Sequence, residues 1–208
     1  MGIPSHYAVE MPVRAYTLLC QYWDQVVASK NEDFGGPLAT TFLVAMAGPM
    51  FNFPYERIRK PKLAKDERHL SQKLTDEIDR VLGPDPFAAA PFFVKGMWRY
   101  TYVPGDEAMS VVTVPEHVLN KLRGDDAQGA ASDVETFTWF STLRQALAHS
   151  TIAYLDGAGR QEAGSPTEMI AFVSEDQKKG TILGHHVFRI SRDDFRIFVP
   201  EWIAWLTA

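Results

Sequence analysis

Arg144 and His149, near the end of one predicted helix, are the side chains whose types and spacing best suit chemistry. At 100° per residue, Arg144 lies between Phe137 and Phe140, within the apolar stripe of that helix. A guanidinium cannot be neutralised and is costly to bury alone. It therefore needs a carboxylate, a phosphate group or a water-filled cleft beside it.

His149 follows Gln145 by one helical turn and Ser141 by two, so these polar groups can orient its imidazole ring. The residues fit two interpretations. In the first, Arg144 and His149 form a functional site. In the second, Arg144 extends along the edge of the core and His149 is a surface residue near a helix end. Position and composition leave both interpretations open.

The motif LRQALAHS, residues 143–150, resembles the signature of the HEPN superfamily (higher eukaryotes and prokaryotes nucleotide-binding), which is Arg-x4-6-His. The order of elements over roughly residues 11–208 is also similar to plasmid-borne HEPN families. An apolar helix followed by PMFNFPYERI precedes the motif helix, a β-hairpin-like insertion and a last amphipathic helix. The resemblance implies a mainly α fold, a HEPN-like helical bundle with a small β-hairpin insertion before the last helix.

The resemblance also implies an activity. Active HEPN proteins are typically endoribonucleases that use neither a metal nor a cofactor and place two motifs in one dimer cleft. Carried over, Arg144 would hold the scissile phosphate, His149 would move the proton, and Gln145 would stand where the family most often has Asn, Asp or His. Attack of a ribose 2′-OH on its own phosphate needs these functions and leaves 2′,3′-cyclic phosphate ends. The alternative is a non-catalytic HEPN module that binds a nucleotide, RNA or a partner protein.

Helix geometry favours a two-fold homodimer through the motif helix. Arg144 and His149 lie about 140° apart around the axis, so two facing copies can share one phosphate more easily than one helix can hold it. We expect Trp139 at this contact. The opposing interpretation is a monomer in which Arg144 reaches a carboxylate, such as Glu135 or one on another helix. The family resemblance further suggests a toxin or phage-defence effector, with RNA and an antitoxin or other protein as partners.

A basic segment between residues 57 and 73 is the second candidate for binding. It carries seven basic residues against Asp66 and Glu67 and could hold an RNA backbone. A solvated loop and helix face is the competing interpretation. The basic residues are Arg57, Arg59, Lys60, Lys62, Lys65, Arg68 and Lys73.

Other common sites are absent from the sequence. It contains no phosphate-binding G-x-x-x-x-G-K-[ST] motif, no G-x-S-x-G and no H-E-x-x-H, and GAGRQE at Gly157 lacks the third glycine of a dinucleotide fingerprint. His185 and His186 are neighbours on a predicted strand and point to opposite faces, which excludes joint chelation of a metal. We interpret them as residues of a solvated strand edge. Cys20 is expected to be a small buried residue.

The composition is that of one globular domain over residues 1–208, with 46% hydrophobic and 23% charged residues. Acidic residues exceed basic ones, 26 against 21, which disfavours binding of duplex DNA along the whole surface. A single cysteine excludes an internal disulfide and zinc sites with two thiolates, and indicates a reducing compartment. We expect a cytoplasmic protein, since neither a signal peptide nor an apolar run of membrane-spanning length is evident.

Periodicity predicts the elements that position these residues. Helices are predicted over residues 11–30, over 38–51 with Pro49 ending or bending the helix, over 66–82, from Pro115 to Gly124, over 132–150 with Ser132 and Glu135 as a capping box, and from Ser191 or Asp193 onward. GDDAQGAA (124–131) is predicted as a flexible loop, residues 91–103 as helix or strand, and MSVVTV (109–114) as a strand. TIAYLDG, EMIAFVSEDQ and HHVFRIS are predicted as three short strands.

Overall fold

The computed structural model describes residues 2–58, 72–105, 109 and 113–208. Over these ranges the protein is mainly α and has seven α-helices and a four-stranded antiparallel sheet. The helices are α1 (Tyr7–Ala28), α2 (Ala39–Ile58), α3 (Gln72–Val81), α4 (Glu116–Arg123), α5 (Asp126–Asp133), α6 (Thr136–His149) and α7 (Arg192–Leu206). The strands are β1 (Arg99–Pro104), β2 (Ile152–Leu155), β3 (Met169–Lys178) and β4 (Thr181–Ser191).

The sheet is larger than the predicted insertion between α6 and α7. Its strand order is β1-β4-β3-β2, so the three predicted strands are confirmed and β1 adds a fourth from a distant part of the chain. β3 and β4 form a hairpin whose turn residues, Lys179 and Gly180, both have positive φ (52° and 81°). Turns of this hand match the twist of the strands they join. Because β4 pairs with β1 on one side and with β3 on the other, it is an inner strand of the sheet.

Both faces of the sheet are buried. Phe172 and Phe188 project from one face into the main core, which is rich in aromatic rings from the helices. Ala171 and Val187 project from the other face into a second cluster beneath α4. The alternation of side chains along each strand separates the two clusters. Fully buried rings of the main core include Phe51, Phe92, Trp98, Trp139 and Trp202.

Helix α2 continues to Ile58 through Pro49 and Pro54, so the predicted end near residue 51 is wrong, and of the two predicted effects of Pro49 the ending of the helix does not occur. A proline within a helix leaves the carbonyl four residues earlier without its usual N–H donor. For Pro54 that carbonyl belongs to Met50, and it accepts a hydrogen bond from the indole Nε1 of Trp202 (3.1 Å). Tertiary packing therefore replaces a lost helical hydrogen bond and ties α7 to α2.

The segment predicted as a loop is instead helix α5, and the predicted capping box does not form. The hydroxyl of Ser132 donates to the carbonyl of Gln128 within α5 (3.1 Å), while α6 begins after Glu135, whose backbone is not helical (φ −56°, ψ 135°). Ala127 and Ala131 are buried and let α5 pack closely against β1. Small buried residues without an apolar stripe gave no helical signal in the sequence.

The remaining helix predictions are confirmed within a few residues. α1 begins four residues before the predicted start, α4 ends at Arg123 directly before the predicted Gly124, and α7 follows Ser191, whose hydroxyl accepts from the Asp194 amide (3.0 Å). The predicted start of α3 and most of the predicted strand at 109–114 lie outside the described residues. Cys20 is exposed on α1, contrary to the expectation that it is buried. None of the described helices has the length and apolar character needed to cross a membrane.

Candidate functional site

A cleft of about 520 Å³ lies where α6 ends beside β3. β2 pairs with residues 169–172 of β3. The hydrogen bond from the Val173 amide to the Thr151 carbonyl (3.0 Å) is the last backbone bond between β3 and the chain that leads into β2. Beyond that point β3 continues to Lys178, and the cleft opens along this part of the strand. Its polar lining residues are Gln145, His149, Thr151, Ser174, Glu175, Gln177 and His185.

His149 is the last residue of α6 and is exposed at the rim of the cleft. The helix stops because Ser150 adopts a left-handed conformation (φ 59°), and its amide donates to the Ala146 carbonyl. Such a turn is a common helix end. The imidazole therefore stands at a fixed helix end with access to solvent, where a substrate can reach it.

Gln145 lies one turn earlier on the same side of α6 and also lines the cleft. Its amide Nε2 donates to the hydroxyl of Ser141 (2.9 Å). This bond fixes the side-chain amide, and neither group bonds to the imidazole of His149 within the described residues. The two polar groups thus orient each other, which differs from the expectation that they orient the His149 ring.

His185 is the functional candidate that the sequence interpretation missed. It lines the cleft, is only 5% exposed, and its Nδ1 has no hydrogen-bond partner among the described residues. The prediction of a solvated strand edge is wrong because β4 lies between β1 and β3. Residues Val187 to Ile190 are apolar apart from Arg189, so both faces of the strand carry apolar side chains. Such a run in the sequence indicates an inner strand.

His186 projects from the opposite face of β4, as the strand period predicts. Its Nδ1 lies 2.9 Å from the hydroxyl of Tyr100, and burial lowers the pKa of His186 against the opposing effect of the Asp176 carboxylate. Burial also raises the pKa of Tyr100 to about 12. These contacts make His186 part of the packing between β1 and β4, so of these two neighbouring histidines only His185 lines the cleft.

Arg144 lies outside the cleft. Its Nη1 donates to Oε1 of Glu56 on α2 (2.8 Å), and its guanidinium carbon is 5.1 Å from the ring centre of Tyr55. The side chain is 13% exposed. Arg144 is therefore paired with a carboxylate on another helix, as the monomer interpretation expected, but the partner is Glu56 and not Glu135. One copy of the chain does not bring Arg144 and His149 to the same point.

Trp139 cannot form the expected dimer contact. It is completely buried and stacks on Phe87, with ring centres 4.3 Å apart. In place of Trp139, partly or fully exposed residues spaced along α6 form a surface that could contact a second copy. These residues are Phe137, Thr138, Ser141, Arg144, Gln145 and Ala148.

The basic segment falls mostly outside the described residues, since Arg59, Lys60, Lys62, Lys65 and Arg68 belong to the range 59–71. Of its two described ends, Arg57 lies over the ring of Tyr7 (4.8 Å), and Lys73 Nζ donates to the carbonyl of Ala208 (3.2 Å). The expectation that Arg57 and its neighbours bind RNA stays a prediction.

Within the part of the chain that the structure describes, no three His, Cys, Asp or Glu side chains are grouped as metal ligands. Comparisons with models of protein families, with curated proteins and with solved structures found no match.

Proposed function

We propose that the protein is an endoribonuclease that works without a metal, with His149 at its reacting centre. The observation that supports this proposal is that two imidazoles, His149 and His185, line one cleft together with the fixed amide of Gln145. The resemblance of residues 143–150 to the HEPN motif independently points to the same histidine. The HEPN assignment itself is part of the proposal.

The chemistry is a transfer within the RNA strand. A base removes the proton from a ribose 2′-OH, the 2′-oxygen bonds to the adjacent phosphorus, and the bond to the 5′-oxygen breaks as an acid returns a proton to that oxygen. The products are a 2′,3′-cyclic phosphate and a 5′-hydroxyl. An imidazole can be base or acid near neutral pH, so His149 and His185 can divide the two steps.

Charge stabilisation on the phosphate requires a cation, and we assign it to Arg144 of a second copy. Glu56, its partner within one copy, is 42% exposed, so the ion pair lies at the surface and can be exchanged for a phosphate at modest cost. In a two-fold dimer through the surface of α6, Phe137, Ser141 and Ala148 would form the contact. Each cleft would then combine His149 of one copy with Arg144 of the other.

One observation favours a second candidate, a non-catalytic HEPN module that binds a nucleotide, RNA or a partner protein. Arg144 already has a carboxylate at 2.8 Å and an aromatic ring beneath its guanidinium. If that arrangement persists with RNA present, the phosphate lacks its cation, and the cleft serves binding alone.

The deciding experiment is cleavage of a labelled RNA pool by the purified protein with a chelator present, followed by analysis of the product ends. We expect cleavage with cyclic phosphate ends, and its loss in His149→Ala. His117→Ala is the matched control, because His117 is also exposed but lies on α4 away from the cleft. Equal activity of His149→Ala and the wild type, or activity that a chelator stops and a divalent ion restores, contradicts the mechanism. Absence of cleavage by the intact protein supports the module.

A toxin or phage-defence role is part of the same proposal. We expect production of the wild-type protein in bacteria to stop growth, and production of His149→Ala at the same level to leave growth unchanged. Co-purification of a protein that restores growth would identify an antitoxin. Equal growth arrest by both proteins would separate the toxicity from the proposed chemistry.

A further inference from the structure

Arg189 is a buried cation with no counter-ion among the residues that the structure describes. It lies on β4, is only 7% exposed, and makes no hydrogen bond or ion pair with the described residues. A charged group in this situation is expensive to desolvate unless a charge of opposite sign accompanies it. Arg144 is paired with the carboxylate of Glu56, whereas no carboxylate in the described part of the chain pairs with Arg189.

Two further arginines increase the positive charge around Arg189. Arg99 is its direct cross-strand neighbour on β1, and Arg123 ends α4 on the same face of the sheet. Burial, and then the charges of Arg99 and Arg123, lower the pKa of Arg189 to about 10. Arg189 still carries a full positive charge at neutral pH.

The partners of these two neighbours leave most of that charge uncompensated. Arg99 Nη1 donates to the backbone carbonyl of Gly124 (2.9 Å), which carries no net charge. Arg123 pairs with Glu116, a carboxylate that is 65% exposed. Over the described ranges, Glu116 is thus the one carboxylate bonded to any of these three guanidinium groups.

A tight turn closes over Arg189. Gly159 has a positive φ (72°), and a Cβ at this position would lie 2.5 Å from Nη1 of Arg189. Asp156 holds the turn through bonds from the amides of Ala158 (2.9 Å) and Arg160 (2.8 Å), and the Gly159 carbonyl accepts from Arg123 (3.3 Å). The turn brings backbone close to the guanidinium, and only glycine permits this approach.

We propose that Arg99, Arg123 and Arg189 form a binding site for one phosphate group, either free phosphate or the terminal phosphate of a small nucleotide. A terminal phosphate carries nearly two negative charges at neutral pH, whereas a phosphodiester carries one. The terminal phosphate therefore neutralises an excess of two positive charges more completely. Because Arg189 is only 7% exposed beneath this turn, we expect a single phosphate group to reach its guanidinium and a polymer backbone not to. Arg189 is four residues from His185 along β4, about 13 Å away. The site is therefore distinct from the cleft and does not depend on ribonuclease activity.

The test is thermal unfolding and calorimetric titration with inorganic phosphate and, separately, with AMP, each against sodium chloride of equal ionic strength. At a hundred times the Kd, we expect the wild-type Tm to rise by about 5–10 °C. A lower Kd for AMP than for phosphate identifies a nucleotide as the ligand, and equal values identify the phosphate group alone. No rise in Tm with either ligand, beyond the salt control, overturns the proposal.

Arg189→Gln separates a ligand site from a structural role. Because the native charge is uncompensated, we expect this variant to unfold at the wild-type temperature or above it without ligand, and to lose the response to phosphate. Arg80→Gln is the control, since Arg80 is an exposed arginine paired with Glu77 on α3, and its response should be unchanged. If Arg189→Gln does not fold, Arg123→Gln, at a position 28% exposed, should fold and bind phosphate at least about tenfold more weakly. A wild-type response in either folded variant refutes the site.

Discussion

Replacement of Glu56 by Gln tests whether Arg144 is held for structure or available for phosphate. The ion pair joins a side chain that is 13% exposed to one that is 42% exposed. Because Glu56 remains in contact with water, we expect the charge to contribute no more than about 0.5–1 kcal/mol. The amide oxygen of Gln can still accept from Nη1 of Arg144, and the guanidinium keeps its contact with Tyr55. The Tm should therefore fall by at most about 2–4 °C.

Arg144→Gln removes more, because it also loses the guanidinium contact with the Tyr55 ring, worth about 0.5–1 kcal/mol. Urea unfolding of both single variants and the double variant gives the coupling energy between Glu56 and Arg144, expected at about 0.5–1 kcal/mol. Glu162→Gln is the control for an exposed pair, since Glu162 is 59% exposed beside Arg160, and its effect should be close to zero.

The cleavage assay then separates the two candidate functions. If Arg144 leaves Glu56 to hold a phosphate, Arg144→Gln should lower the cleavage rate by about 10²–10³, whereas Glu56→Gln should leave the rate unchanged or raise it. A coupling energy near zero would refute the ion pair as a stabilising contact. A normal cleavage rate in Arg144→Gln would refute the shared cleft, even if His149 proved essential.

Three further outcomes are expected. Gly159→Ala should lower the free energy of unfolding, measured in urea, by at least about 1–2 kcal/mol, because Ala is strained at this φ and its Cβ contacts Arg189. The control is Gly129→Ala, within α5 and with open space around it, which should raise the free energy of unfolding by about 0.5–1 kcal/mol. Equal effects of the two substitutions would refute the close approach of Gly159 to Arg189. Since the pKa of His186 is lowered in the folded protein, the unfolded chain binds more protons as the pH falls below about 6.5. Stability should therefore decrease from pH 7.5 to 5.5, and this decrease should be smaller in His186→Gln; identical pH profiles would count against it. Light scattering at micromolar concentration should give a mass of twice 23.4 kDa, as expected for a dimer through α6. Ser141→Arg should reduce this mass to that of the monomer. A monomer mass for the wild-type protein would refute the cleft shared between two copies.

Elements with a clear apolar period could be predicted from the sequence, and elements that depend on distant partners could not. α7 was recognisable from its aromatic spacing and from Ser191 at its start. α5 was not, because its buried residues, Ala127 and Ala131, are too small to form an apolar stripe. α2 passes two prolines because packing of residues such as Phe51 and Trp202 outweighs the local preference to end the helix.

The candidate site divides in the same way. The motif identified His149 and Gln145, which the structure brings to one cleft. His185 escaped notice because its burial depends on β1, which pairs with β4 from about eighty residues earlier in the chain. The helical wheel placed Arg144 correctly on a side away from His149, but a wheel cannot identify Glu56, which belongs to another helix.

The hydrogen bond from Trp202 to the Met50 carbonyl has a consequence for the time at which this chain can fold during synthesis. Its two ends are 152 residues apart, so α2 emerges from the ribosome long before the residue that completes it. Until Trp202 arrives, the Met50 carbonyl and the surrounding rings remain open to water or to chaperones. The last helix thus determines when the nascent chain acquires its core, and at the usual rates of translation this delay amounts to about ten seconds or more.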